Sequence, residues 1–63
     1  MSRLLTDSEK EQLDMISFAE TQVLSLIEKL KQDDVVDQRW LAIAKTDLEK
    51  GFMSLSRSVT EQG

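Results

Sequence analysis

Residues 13–30 read LDMISFAETQVLSLIEKL, and the spacing of the apolar side chains in this stretch decides the fold. At about 100° per residue, Leu13, Met15, Ile16, Ala19, Val23, Leu24, Leu26, Ile27 and Leu30 fall on an arc of roughly half a helical cylinder. A surface helix needs only about a 100° stripe to face its core. One partner helix cannot cover the remainder, so this helix has two faces to pack.

The start of the helix is written just upstream. Thr6-Asp7-Ser8-Glu9 has the form of a capping box, in which the Thr hydroxyl accepts from the Glu9 amide and the Glu9 carboxylate reaches back. Acidic residues crowd the first turn, and Lys29 and Lys31 occupy the last, as the helix dipole favours. Helix one is therefore expected over about residues 7–31. Gln32-Asp33-Asp34-Val35-Val36-Asp37 forms the connection, with Asp34 or Asp37 available to cap a second helix over about 37–60. On that helix Leu41, Ala44, Leu48, Gly51, Phe52, Leu55 and Val59 share one apolar face. Ala44, Gly51 and Ser58 recur every seven positions along its edge. Glycine inside a helix costs about 1 kcal/mol against alanine, and close approach by another helix or a ligand would justify that cost. The expectation is an all-α, antiparallel two-helix hairpin that assembles with its own copies into a helical bundle, with residues 1–63 as one domain.

Composition points the same way. The chain has 63 residues, no Pro, no Cys, no His and two Gly. Turn chemistry is too scarce for a multi-stranded β domain. A chain of this size rarely nets more than about 3–5 kcal/mol from its own core. Disulfides and thiolate metal sites are excluded, and the commonest metal ligand and neutral-pH base are missing, so oligomerisation is the remaining support. No metal or cofactor is expected. No apolar run reaches the roughly 18 residues of a membrane span, and Met1–Leu5 has no apolar segment of a leader. The chain reads as soluble and intracellular. A net charge of −4 disfavours DNA, which demands a basic footprint, yet leaves room for a small anion in a local basic pocket.

Such a pocket has candidates on helix two. Arg39, Thr46, Lys50 and Arg57 return to within about 20° of the Arg39 direction at the helical repeat, on the side opposite the apolar face. Arg offers a planar fork for phosphate and Thr a hydroxyl. The same ridge also reads as an ordinary solvated face; several copies converging it on an axis would turn it into a pocket. Trp40 reads as a core or interface anchor, or as a platform for a base. Phe18 projects to the polar side of helix one and Glu20 into its apolar arc, where a carboxylate needs a cationic partner or an edge position. No nucleophile–base pair, phosphate-binding loop or pair of spaced carboxylates is present, so no catalytic residue is assigned and no enzyme is expected.

The stretch RWLAIAKTDLEKGFMSLSRSV, Arg39 to Val59, resembles the signature helix of the phage anti-CBASS cyclic-oligonucleotide sponges, whose hairpin also occurs in one group of anti-Thoeris sponges. Helix one resembles the family's amphipathic first helix more loosely. The resemblance implies a homo-oligomer, typically a hexamer, in the host-cell cytoplasm. It would sequester cyclic di- or trinucleotides without cleaving them and keep an immune effector inactive. It assigns phosphate contact to Arg39, Lys45, Thr46 and Arg57, although Lys45 projects about 120° from the ridge. Where the family carries an aromatic before helix one and a Lys within it, this chain has Ser2 and Ser17. Those groups help hold dinucleotides, so a trinucleotide is the expected ligand, with Phe18 as a stand-in stacking group. The competing reading is a structural or adaptor hairpin that captures a partner helix.

Overall fold

A computed structural model describes residues 4–61. Ser2, and with it the implied dinucleotide position there, lies outside the described residues, as do the first three residues of the Met1–Leu5 stretch. Two helices, α1 (Asp7–Lys31) and α2 (Gln38–Thr60), make up the fold, and no strand occurs among the described residues.

Local chemistry sets each helix end. At the start of α1, the Glu9 amide donates to Thr6 Oγ1 at 3.1 Å, and the Thr6 amide donates to Glu9 Oε1 at 2.9 Å. Glu9, 7% exposed, folds back onto the backbone it caps. Replacing Thr6 by Ala removes the acceptor, and the expected loss is about 1 kcal/mol. Urea denaturation of both proteins at equal concentration measures it. An unchanged midpoint would show that the cap contributes nothing.

Of the two candidate caps for α2, Asp37 is the one used; its Oδ1 accepts from the amides of Arg39 and Trp40 at 3.0 and 3.1 Å. Between the helices the chain turns without Gly or Pro. The Val35 amide donates to Asp33 Oδ1 at 2.9 Å, an Asx turn. Gln38 Nε2 lies within 3.2–3.4 Å of the carbonyls of Leu30, Asp33 and Val36. A side chain from the first turn of α2 thereby holds both the end of α1 and the connection.

The helices run antiparallel. Ile27 shares a groove with Leu41, whereas Leu24, one turn earlier on α1, shares one with Lys45 and Glu49 further along α2. The result is a rod of 48 × 17 × 13 Å. Its seam is thin: Ile27, Leu41 and Val59 are the buried apolar residues, and no large side chain is fully enclosed among the described residues. Much of the apolar sequence stays outside. Met15 and Leu26 of α1 and Leu48 and Leu55 of α2 remain 40–67% exposed. Trp40, read as an anchor, is 68% exposed and takes no part in the hairpin's own core. Glu20 sits half-buried along α1.

Candidate functional site

The second helix presents an apolar face and a cationic ridge. Leu41 and Val59 are buried and Phe52 half-buried on the apolar face. Leu48, Gly51, Phe52 and Leu55 continue that face to about 80° from the Leu41 direction and line an open apolar groove of about 280 Å³. On the opposite side stand Arg39, Thr46, Lys50 and Arg57, all exposed. The three cations of this ridge have no ion-pair partner among the described residues.

Sharing a face is not the same as sharing a site. Arg39 and Arg57 are eighteen residues apart in α2, which at 1.5 Å per residue separates them by about 27 Å along the axis. A trinucleotide ring cannot bridge that span. Within one hairpin the two arginines therefore cannot act on one ligand; only residues from different copies could be brought together.

Lys45 and Thr46 do come together. Lys45 is half-buried and leans towards α1. With Thr46, Gln38 and Lys31 it lines an open groove of about 620 Å³, floored by Ile27 and Leu41. The Thr46 hydroxyl donates to the Ala42 carbonyl at 3.3 Å, and its oxygen keeps its capacity to accept. Lys45, about 120° from the ridge, reaches this groove from the seam on its long stem, whereas Arg39, Lys50 and Arg57 do not line it. Phe18 lies on α1 at 67% exposure, and Ser17 accepts the Thr21 hydroxyl through its carbonyl.

The residues that sequence reasoning passed over are on α1. Lys31 Nζ pairs with Glu28 Oε2 at 2.9 Å, and beside them Leu24, Lys45 and Glu49 complete a second groove. The hydrogen bond from Lys31, then its charge, and to a smaller extent Lys45 hold the Glu28 carboxyl below its usual range. Lys31 is held above the ordinary amine value by the same bond and charge. Both shifts favour the charged pair at neutral pH. The contribution of Glu28 is present above its unfolded value and fades as pH falls through the lowered one, and for so exposed a pair it is small. Lys31 had been read only as a complement to the helix dipole. Its projection onto the seam edge of α1 was the available signal.

Among the described residues no cluster of carboxylates could hold a metal ion, and no helix is long and apolar enough to cross a membrane. Comparison with curated proteins and with solved structures yields no match. A family model does match, described as the Acb2/Tad1 hairpin domain, over residues 3–60. That match spans both capped helices, and the chain belongs to the Acb2/Tad1 hairpin family of anti-CBASS and anti-Thoeris cyclic-oligonucleotide sponges.

Proposed function

We propose that this chain is a phage counter-defence sponge whose copies assemble, as a hexamer, and sequester cyclic trinucleotides in the host cytoplasm without cleaving them. The observation that carries the reading is the family match across residues 3–60. The hairpin supports it in two ways. Its exposed apolar flank on α2 offers a surface for other copies. Arg39 and Arg57, about 27 Å apart along one helix, acquire a common target only when copies meet around an axis. Arg39, Lys45, Thr46, Lys50 and Arg57 are the proposed phosphate contacts, with Phe18 as a stacking group. The net charge of −4 does not oppose this, because affinity for a small anion depends on the local field of a few converged donors.

A thermal-shift screen against cyclic di- and trinucleotides tests the proposal. A ligand that binds only the folded state stabilises it by about 2.7 kcal/mol at 100 times its dissociation constant, an easily read rise in midpoint. The expected result is a shift with one or more trinucleotides and recovery of intact ligand after heating. A shift with dinucleotides alone would overturn the ring-size assignment. Linearised product would overturn the sponge in favour of an enzyme, and no shift at all would leave an adaptor hairpin as the better reading.

A further inference from the structure

We propose that Lys31 is a further anion-contact residue, and that Glu28 is its displaceable internal counter-ion. A phosphodiester entering the groove would replace the Glu28 carboxylate on the wall formed by Lys31 and Lys45. The proposal rests on the sponge reading for its ligand class and on the following geometry for its site.

Lys31 and Lys45 come from different helices, and both line both grooves at the turn end of the hairpin. They form the partition between the two. The larger groove, about 620 Å³, lies within the range of small-molecule sites. Its Ile27, Leu41 and Ala42 floor suits a sugar or base edge, while Gln38 and Thr46 add polar groups along the rim. Two ammonium groups on one wall repel unless an anion sits between them. In the hairpin the carboxylate on Lys31 is Glu28, at 2.9 Å, and it lines the smaller groove together with both lysines.

The placeholder is weakly held. Glu28 and Lys31 are three residues apart on one helix, with side chains 64% and 45% exposed, and exposed pairs of this kind contribute little. A phosphodiester carries one negative charge over two oxygens, as a carboxylate does, but in the groove it sets an oxygen against each lysine, whereas Glu28 is paired with Lys31 alone. Glu49 faces the same groove from α2. With Glu28 in place Lys31 is neutralised, and displacing the carboxylate adds the Lys31 charge to that of Lys45. Glu28 therefore sets a threshold, admitting ligands with a phosphate that reaches the wall and resisting stray anions.

Isothermal titration of the full chain tests this, using the tightest cyclic nucleotide from the screen. Lys31→Met should weaken binding about tenfold or more, the equivalent of one charge-assisted hydrogen bond. Lys29→Met is the control: it removes the same charge from an exposed position about 160° around α1, and should change affinity less than about twofold. Glu28→Gln should tighten binding a few-fold by removing the competitor. Equal losses for Lys31→Met and Lys29→Met, or weaker binding by Glu28→Gln, would overturn the proposal. If no cyclic nucleotide binds the native chain, the sponge reading fails separately. The groove is then read by NMR titration with inorganic diphosphate, following the side-chain signals of Lys31 and Lys45. Shifts confined to those two lysines would support the site, and silence there would sink it.

Discussion

Arg57→Ala is expected to abolish cyclic-nucleotide binding while leaving the hairpin folded and assembled. The side chain is exposed in the last turn of α2 and has no ion-pair partner among the described residues. Removing it forfeits only its interaction with the helix dipole, a few tenths of a kcal/mol, within the usual range for surface changes. Binding is a different matter. A charge-assisted hydrogen bond contributes about 1.5–3 kcal/mol, and a site built by symmetry loses that contact from every copy at once. Loss from three copies amounts to about 5–9 kcal/mol, more than a thousandfold in affinity. Titration calorimetry on the variant, with native mass spectrometry as the control for assembly, reads both quantities. Near-original affinity would remove Arg57 from the site.

The second large effect concerns assembly. Within one hairpin, a Cβ built on Gly51 would meet nothing within 4 Å, so the hairpin itself gives no reason for glycine in mid-helix. Gly51→Ala should then stabilise an isolated hairpin by about 1 kcal/mol. If another copy's backbone seats in the groove of Leu48, Gly51, Phe52 and Leu55, the same change obstructs it and Gly51→Leu blocks it. Overpacking costs about 1–3 kcal/mol at each junction, and every 1.4 kcal/mol is tenfold in an association constant. The expected outcome is a fall in solution mass, measured by light scattering at micromolar concentration, with helical circular dichroism retained. An unchanged mass together with a raised melting point would mean that the copies meet elsewhere.

Much of the local architecture could be read from side-chain chemistry. The Thr6–Glu9 box forms as its spacing implies, because a cap involves only residues within hydrogen-bond reach along the chain. Asp34 and Asp37 are equivalent caps by spacing alone; α2 uses Asp37, whose Oδ1 accepts from Arg39 and Trp40, while Gln38 gathers three carbonyls in a contact that spans both helices. The ridge of Arg39, Thr46, Lys50 and Arg57 was visible in projection. A projection discards distance along the axis, and this hid the 27 Å that keeps the two arginines of one hairpin from a common ligand.

By itself, the sequence determined that this protein is a pair of capped helices of the sponge family, with more apolar surface than one seam can cover. Those properties follow from the helical repeat, from short-range donors and acceptors and from composition, all of which travel with the chain. The tertiary structure alone decided which part of each apolar arc is spent on the hairpin and which side chains meet across it. Lys31 and Lys45 share a wall, Trp40 stays outside, and Gly51 faces open space, because periodicity orders residues around their own axis but does not set the angle or register at which a neighbouring helix arrives.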